Sequence, residues 1–271
     1  MPKIKNNIRI KKWPKKQFGQ NFLTNKTIVN RMVKTALIKE ADIVLEIGAG
    51  KGVLTEELLK SGARVLAVEK DRDLIPELKE RFSEKIKNEK LILIEKDIRD
   101  INLKNYKFKN GKWKLVANIP YYITGEILRR FLENKIQPSL MVLMVQKEVG
   151  QRIVARDGKE SILSISVKVY GKATLVSYVS RGNFTPSPNV DSAIISISNI
   201  NKNFFKGFSE KKFFEILRTG FAHKRKFLFS NLSILFSVDK LRKSFKKANI
   251  PLNIRGEDLS LSQWGELSLL L

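Results

Sequence analysis

Cysteine is absent from this 271-residue chain, and histidine occurs once, as His223. Without cysteine the protein has no disulfides, thiolate zinc sites, iron–sulfur clusters or cysteine nucleophiles. A single histidine excludes a metal site built on a histidine pair, so we expect no bound metal. Apolar runs of membrane-spanning length are also missing, and no apolar segment follows the basic N terminus as a signal peptide requires. These absences favour a protein of the reducing cytoplasm, without membrane or metal.

Acidic residues are the scarce charge, since 27 Asp and Glu stand against 52 Lys and Arg, a formal net charge of +25. Such an excess predicts affinity for a polyanion with strong salt dependence, although a basic proteome or a solubilising surface would also produce it. Residues 1–16 contain seven cations and no acid. They are predicted to form a basic arm for phosphates, and a merely solvated tail is the alternative.

A glycine-rich loop lies between a predicted strand and a predicted helix. Ile43–Ile47 is an apolar run typical of a buried strand, and Gly48, Gly50 and Gly52 follow at once. Strand, glycine loop and helix open a doubly wound α/β nucleotide-binding sheet, in which glycine lets the backbone approach a ligand. The glycine spacing departs from the dinucleotide fingerprint, and the Lys-Ser/Thr pair that ends a phosphate-binding loop is missing, because Gly52 follows Lys51. The loop alone is therefore a weak signal.

Two acids stand at the ends of the next two predicted strands. Glu69 ends the run Arg64–Glu69, and Asp97 follows Leu91–Glu95. A carboxylate one βαβ step after the glycine loop can accept both hydroxyls of a ribose, and Asp97 is placed to accept from an adenine amino group. Either acid alone would more simply be a loop cap or a surface charge. Both together, after a glycine loop, favour a bound ligand.

The segment Asn118–Tyr122 follows the apolar run Leu115–Ala117, which is predicted to be a buried strand. An amide, a proline and two aromatic residues suit a pocket for a flat base with an exocyclic amine. The alternative is a proline turn with packed tyrosines. A second loop, 182–188, carries Phe184 beside two prolines. These prolines can hold the ring at a fixed position, or they simply make a rigid connector.

The order of predicted elements indicates an α/β fold followed by a helical region. Further helices are predicted over 25–38, 71–82, 125–132 and 146–155, and C-terminal helices near 210–222, 226–236, 239–248 and 258–270. Residues 160–170 fit a helix or a strand, and the helix is favoured. Further strands are predicted over 139–145, 174–179 and 191–198, and the last two are expected to form an antiparallel edge pair. Residues 201–271 carry 14 Lys and Arg against 6 acids, densest at His223–Lys226. This excess predicts a grip on the phosphates of structured nucleic acid. We therefore divide the chain into a basic arm (1–16), an α/β domain (17–200) and a small, all-helical basic domain (201–271).

Four motifs occur in an order that resembles one family. They are Phe18–Leu23, Glu46–Gly52, Asn118–Tyr121 and Phe184–Ala193. Together they resemble the rRNA adenine N6,N6-dimethyltransferases, and the similarity runs from about Trp13 to the C terminus. The resemblance implies a Rossmann-like class I methyltransferase fold that uses S-adenosyl-L-methionine and acts on rRNA.

Within that family the chain is most similar to the small-subunit (KsgA) branch, which dimethylates two adjacent adenines near the 3′ end of small-subunit (16S) rRNA during ribosome biogenesis. The segments Gln146–Arg152, Phe221–Lys226 and Arg255–Ser260 carry this similarity. Three alternatives stay open: a large-subunit enzyme that confers macrolide resistance, an RNA-binding assembly factor without the chemistry, and a DNA adenine methyltransferase. The expected partner is small-subunit rRNA or a pre-assembled small ribosomal subunit, and the protein is expected to be a monomer.

The resemblance also implies roles for individual residues. S-adenosyl-L-methionine is expected to bind at Asn21, Leu23, Gly48, Gly50, Glu69, Asp97 and Asn118. Catalysis is expected from Asn118, Ile119, Pro120, Tyr121 and Phe184, and RNA phosphates are expected to bind at Lys224, Arg225 and Lys226. Tyr122 is expected to pack rather than to touch the base.

The chemistry explains this choice of residues. The adenine N6 is a weak nucleophile because its lone pair is delocalised into the ring, so the enzyme must supply alignment and relief of conjugation. We hypothesise that the Asn118 side-chain oxygen and the Ile119 backbone carbonyl accept both N6 hydrogens, while Pro120 fixes the turn. Tyr121 and Phe184 would stack on opposite faces of the flipped base.

Overall fold

A computed structural model describes residues 19–271 of the chain. The predicted basic arm, residues 1–16, lies outside the described residues, and so does Phe18 of the first motif. Between residues 19 and 271 no helix has the length and hydrophobicity that a membrane crossing requires.

Seven strands of the described chain form one mixed sheet. They are β2 (Ile43–Ile47), β3 (Arg64–Glu69), β4 (Leu91–Glu95), β5 (Trp113–Asn118), β6 (Leu140–Gln146), β7 (Lys172–Val179) and β9 (Ser192–Ser198). Their order across the sheet is β4-β3-β2-β5-β6-β9-β7, and the first five run parallel. The predicted antiparallel pair at the edge is confirmed. The reversed strand is the inner one of the pair, because β9 is antiparallel to both β6 and β7.

The central strands are apolar on both faces because helices cover both sides of the sheet. Successive side chains of a strand point to opposite faces. Val44 belongs to one hydrophobic cluster and Leu45 to the other, and Val116 and Leu115 divide in the same way. Near-continuous apolar runs in β5 and β6 are therefore what a covered parallel sheet requires.

Each predicted helix is present among the described residues, and a short helix over Ser83–Lys87 was not predicted. The helices are α1 (Lys26–Thr35), α2 (Val53–Lys60), α3 (Ile75–Arg81), α4 (Ser83–Lys87), α5 (Thr124–Leu132), α6 (Lys147–Val154), α7 (Ile162–Lys168), α8 (Glu210–Gly220), α9 (Leu228–Leu232), α10 (Val238–Lys247) and α11 (Leu261–Leu270). The helix predicted over 71–82 begins only at Ile75, since Pro76 occupies its first turn, where proline is favoured. The helix within 160–170 is confirmed, and a capping box between Ser161 and Ser164 starts it.

A second, two-stranded sheet joins two distant parts of the chain. β1 (Phe22–Leu23) pairs antiparallel with β8 (Phe184–Thr185), with Leu23 opposite Phe184. The sequence did not predict this pairing. It fixes the N-terminal motif against the loop that follows β7.

The C-terminal helices share a hydrophobic core with the sheet. Phe213 of α8 and Trp264 of α11 belong to the same buried cluster as Leu115 of β5 and Met141 of β6. The predicted helical character of residues 201–271 is confirmed. The boundary at residue 200 between two domains stays a prediction, since the core continues across it.

Candidate active site

A pocket opens at the carboxyl edge of the sheet, where β2, β3, β4 and β5 end. Strand order reverses between β2 and β5, and open α/β sheets bind ligands at such a switch point. The predicted site residues that line the pocket are Asn21, Gly48, Gly50, Glu69, Asp97, Asn118, Ile119, Pro120 and Tyr121. Leu23 lies beside it, in a small adjoining cavity that Gly48, Gly50 and Asn118 also line.

Glu69 holds the glycine loop in place. Its Oε2 accepts from the backbone N–H of Gly50 at 2.8 Å, and its Oε1 accepts from that of Asp71 at 2.8 Å. Asp71 in turn accepts from the Gln20 side chain at 2.8 Å, which ties the N-terminal segment to the same network. Burial raises the pKa of the Glu69 carboxyl, while its backbone hydrogen bonds oppose the rise. Each carboxylate oxygen retains a lone pair for a further donor.

Gly50 and Gly52 of the loop are required for different structural reasons. Gly50 has a φ of +57°, and a Cβ there would lie 3.2 Å from the Phe22 ring. Gly52 also has a positive φ, and its Cβ would lie 2.6 Å from the Phe82 ring and 2.9 Å from Leu78. Gly50 therefore brings the backbone close to the pocket, whereas Gly52 lets helix α3 and Phe82 pack against the loop.

Asp97 is more heavily engaged than the sequence predicted. Its Oδ1 accepts from the backbone and Nε of Arg99, each at 3.0 Å. Its Oδ2 accepts from Arg99 Nη2 at 2.6 Å and lies 2.9 Å from Lys70 Nζ. The Arg99 guanidinium, with Lys70, holds the pKa of the Asp97 carboxyl well below its usual range. A carboxylate offers about four lone-pair sites. Asp97 therefore accepts from an adenine amino group only after one of these donors moves away.

Asn118, the last residue of β5, has a defined side-chain orientation. Its Nδ2 donates to the backbone carbonyl of Asn21 at 3.1 Å. A carbonyl only accepts, so the amide nitrogen must face Asn21 and the side-chain oxygen must face the other way. This contact brings together two residues that lie 97 positions apart. It leaves an acceptor, Oδ1, in the wall of the pocket.

Tyr121 is held at its hydroxyl. The OH group lies 2.6 Å from Oγ of Ser192, the fully buried first residue of β9. Burial raises the pKa of Tyr121. Ser192 belongs to the motif Phe184–Ala193, but its role as an anchor for this ring was not foreseen.

Tyr122 corrects an expectation. It was predicted to pack, yet the residue is 62% exposed and lines the pocket. The cause is the 3₁₀ turn Tyr121–Ile123, which buries Ile123 and leaves Tyr122 outside. A Cβ on Gly19 would lie 3.3 Å from the Tyr122 ring, so the ring stands at the N-terminal side of the pocket.

Phe184 does not reach the pocket. It is only 4% exposed and belongs to the hydrophobic cluster on the α1–α2 side of the sheet. Its pairing with Leu23 in the two-stranded sheet turns the ring into that core. The hypothesis that this ring stands ready to stack on a base is therefore not met in this structure.

Two residues next to the site were not singled out as functional from the sequence. Glu46 of β2 is completely buried, and neither of its carboxylate oxygens has a hydrogen-bond partner among residues 19–271. Burial raises its pKa to about 8. Arg99, two positions after Asp97, was missed because a cation near an acid in a loop is common.

The predicted RNA-contacting residues lie apart from the pocket. Lys224, Arg225 and Lys226 are exposed in the loop between α8 and α9. Lys224 also lines a groove that separates this loop from α5, α6 and α7. The cations Arg129, Arg152, Arg156, Lys159 and Arg218 share that groove with several acids.

Comparisons with known proteins agree on one family. The family model described as "Ribosomal RNA adenine dimethylase" matches residues 12–271. A protein of Dehalococcoides mccartyi named ribosomal RNA small subunit methyltransferase A is 41% identical over 257 residues, covering 94% of this chain and 87% of that protein. A protein of the same name from Fusobacterium nucleatum is 40% identical and covers 93% of this chain and 96% of its own.

Solved structures show the same fold. A dimethyladenosine transferase from Plasmodium falciparum superposes with a TM-score of 0.76 at 29% identity, covering 91% of this chain and 95% of that one. The 23S rRNA methyltransferase ErmE superposes with a TM-score of 0.73 at 22% identity, covering 93% and 99%. At that identity the second likeness concerns the fold alone.

Proposed function

The chain belongs to the ribosomal RNA adenine dimethylase family, and we propose that it dimethylates N6 of two adjacent adenines near the 3′ end of small-subunit rRNA. As a member of this family it is an rRNA adenine dimethylase that depends on S-adenosyl-L-methionine. The two relatives named above, at 40% and 41% identity, are both named for the small subunit and support that substrate over large-subunit rRNA. The proposal places its work in the cytoplasm, during biogenesis of the small subunit.

The pocket suits S-adenosyl-L-methionine. Glu69 is fixed by two backbone N–H groups with lone pairs to spare for ribose hydroxyls. Gly48 and Gly50, both at positive φ, leave the pocket floor without side chains. Asn21 and Asn118 supply polar groups on the facing side. The cofactor, when bound, supplies a strongly electrophilic sulfonium methyl, so no acid–base group of unusual strength is needed.

The orientation of Asn118 carries the proposal. Because its Nδ2 donates to Asn21, its Oδ1 can accept one N6 hydrogen of a target adenine. The backbone carbonyl of Ile119 is the proposed acceptor for the other. Two such hydrogen bonds draw N6 away from conjugation and orient its lone pair, which is catalysis by alignment. After one methylation a single N6 hydrogen remains, so the second transfer uses one acceptor only.

Tyr121 is the proposed stacking partner for the flipped base. Its ring is half-buried in the pocket wall and its hydroxyl is anchored on Ser192. Extruding a base costs a few kcal/mol, and stacking on an aromatic ring returns about 1–3 kcal/mol. Phe184 contributes to this step by holding β1 against β8 rather than by offering a second ring face.

The first test removes the proposed acceptor. Asn118→Ala is expected to abolish methyl transfer to unmethylated small ribosomal subunits while leaving S-adenosyl-L-methionine binding measurable by calorimetry. The reason is that alignment of N6 is lost while Glu69 and the glycine loop remain. Asn105→Ala, an exposed asparagine remote from the pocket, is the matched control and should transfer as wild type. If Asn118→Ala transferred methyl groups at the wild-type rate, the proposed role of Asn118 in aligning N6 would be wrong.

The second test maps the substrate. N6,N6-dimethyladenosine blocks reverse transcription, so primer extension across both rRNAs, from cells with and without the gene, identifies the modified positions. A gene-dependent stop near the 3′ end of small-subunit rRNA is expected. A stop in large-subunit rRNA would favour the alternative branch. No stop in either rRNA would favour a binding-only assembly factor.

A further inference from the structure

One exposed aromatic ring lies among the exposed cations of the α8–α9 loop. Phe227 is 47% exposed and directly follows Lys224, Arg225 and Lys226, whose side chains are exposed as well. A single exposed apolar residue is ordinary on a protein surface, so exposure by itself carries no weight. The neighbouring cations make it significant, because an aromatic residue next to several cations is typical of sites that bind single-stranded nucleic acid.

The loop that carries these side chains is held by buried hydrogen bonds. Asn231, only 1% exposed, donates through Nδ2 to the carbonyls of Gly220 at 2.7 Å and of His223 at 3.2 Å. The Leu228 N–H donates to Ile254 at 2.8 Å, which fixes the loop end next to Phe227. The backbone is therefore ordered before any ligand arrives, and little conformational entropy is lost on binding.

The side chains of the loop remain available. Within residues 19–271, no ion pair engages Arg225 or Lys226, and Lys224 approaches only Glu257, at 3.9 Å. In the same part of the chain Phe227 makes no contact with another aromatic ring. A half-exposed ring thus follows two cations that have no ion pair, on a loop held by hydrogen bonds.

We propose that Phe227 is a stacking platform for an unpaired nucleotide of the rRNA, whose flanking phosphates bind Arg225 and Lys226. This inference rests on the proposed function. The nucleotide differs from the target adenine, since Phe227 lies outside the active-site pocket. Unpaired bases stack on aromatic rings with little regard to sequence, while neighbouring cations neutralise the backbone. The platform therefore recognises a bulged or looped nucleotide at a fixed place on the RNA.

The experiment separates stacking from charge by the salt dependence of binding. The probe is the small ribosomal subunit purified from a strain that lacks the gene, and Kd is measured over a range of KCl concentrations. Phe227→Ala is expected to weaken binding about 5- to 150-fold, with an unchanged slope of log K against log salt, because no phosphate contact is lost. Lys226→Ala should lower that slope by about 1.

Two further variants test the ring face itself. Phe227→Trp should bind as wild type or tighter, whereas Phe227→Leu, which keeps apolar area without a π face, should bind as weakly as Phe227→Ala. Ile92→Ala is the matched control, since Ile92 is 50% exposed on the remote edge strand β4 and should have no effect. Thermal unfolding of each variant verifies that the fold is intact.

The outcomes distinguish this inference from the proposed function. Wild-type binding by Phe227→Leu, or a changed salt slope in Phe227→Ala, would overturn the stacking platform while leaving the methyltransferase assignment in place. Failure of the wild-type protein to bind or methylate the subunit would overturn both. A loss in Phe227→Ala and Phe227→Leu that Phe227→Trp does not share supports the platform.

Discussion

Glu46 is a carboxyl group in an environment that disfavours its charge. It is fully buried in β2 beneath the glycine loop, and no hydrogen bond compensates either oxygen within the described chain. Desolvation raises its pKa from 4.5 to about 8. At neutral pH the folded protein therefore holds Glu46 mostly protonated, whereas the unfolded chain holds it ionised.

This difference predicts how stability depends on pH. The folded-state pKa exceeds the unfolded value, so the contribution is complete below pH 4.5 and is lost as the pH rises to about 8. The loss is about 1.4 kcal/mol per pH unit in that window. Glu46→Gln keeps the shape and removes the titration, so its free energy of unfolding should fall less between pH 5 and 9. Urea denaturation at these pH values measures the free energy of unfolding of both proteins. If it changed equally with pH in the wild type and in Glu46→Gln, the raised pKa of Glu46 would be contradicted.

At Tyr121, the contribution of the aromatic ring can be tested separately from that of the hydroxyl group. Tyr121→Phe removes the 2.6 Å contact with buried Ser192 and should cost about 1–2 kcal/mol of stability, because Ser192 loses its partner. It keeps the stacking face, so methyl transfer should persist. Tyr121→Ala should slow transfer about 5- to 150-fold through lost stacking. Initial rates with labelled cofactor, beside thermal unfolding, distinguish the two. Equal transfer rates for Tyr121→Phe and Tyr121→Ala would show that stacking on the ring does not contribute to methyl transfer.

At the residue scale, position along the chain predicted which strand-end side chains reach the pocket, but it did not predict their hydrogen-bond and ion-pair partners. Strand ends placed Glu69, Asp97 and Asn118 at one edge, and all three line the pocket. The orientation of Asn118 depends on the Asn21 carbonyl, and the engagement of Asp97 depends on Arg99 and Lys70. The Asn21 and Lys70 partners belong to segments that meet only after folding. The buried position of Phe184 was not foreseen for the same reason, since its partner Leu23 comes from β1.

At the element scale, the glycine loop is shaped by helix α3 as much as by its ligand. A Cβ at Gly52 would lie 2.6 Å from Phe82 and 2.9 Å from Leu78, and φ there is +75°. Gly52→Ala should destabilise the protein by about 2–4 kcal/mol, combining left-handed backbone strain with overpacking. Urea denaturation measures the loss.

Gly111 provides the matched control for that substitution. Its φ is +67°, yet nothing lies within 4 Å of a Cβ built on it. Gly111→Ala therefore incurs the backbone strain without the clash and should cost about 1–2 kcal/mol. Equal losses at both glycines would mean that Phe82 and Leu78 move aside freely.

Periodicity predicted most elements because each long strand and helix carries its own apolar pattern. The strands from β2 to β5 and helices such as α8 were found within a few residues of the predicted ends. β1 and β8 were missed because two residues cannot show a period. Helix α4 was missed because none of its five residues is buried. The place of β9 between β6 and β7 was also missed, since sequence order does not determine sheet order.

At the scale of the whole molecule, the net charge of +25 predicts salt-dependent binding to RNA. Replacing Lys224, Arg225 and Lys226 together by alanine should weaken binding to small ribosomal subunits and lower the slope of log K against log salt by about 2–3. Fluorescence titration at several KCl concentrations gives the slope. Lys85, Lys87 and Lys90, all exposed near α4, form the control triple, with the same loss of charge. If both triples lower the slope equally, binding follows total charge rather than the α8–α9 loop.

The core that runs from Leu115 of β5 to Phe213 and Trp264 has a consequence for how such enzymes diversify. A module joined by a linker can be exchanged between proteins without disturbing its neighbour. Here the surface that we propose to meet RNA is built on helices whose interior residues also complete the hydrophobic core on one face of the sheet. A change of RNA target must therefore arise by substitutions on the outer surface of these helices, because transplanting them would leave the sheet uncovered.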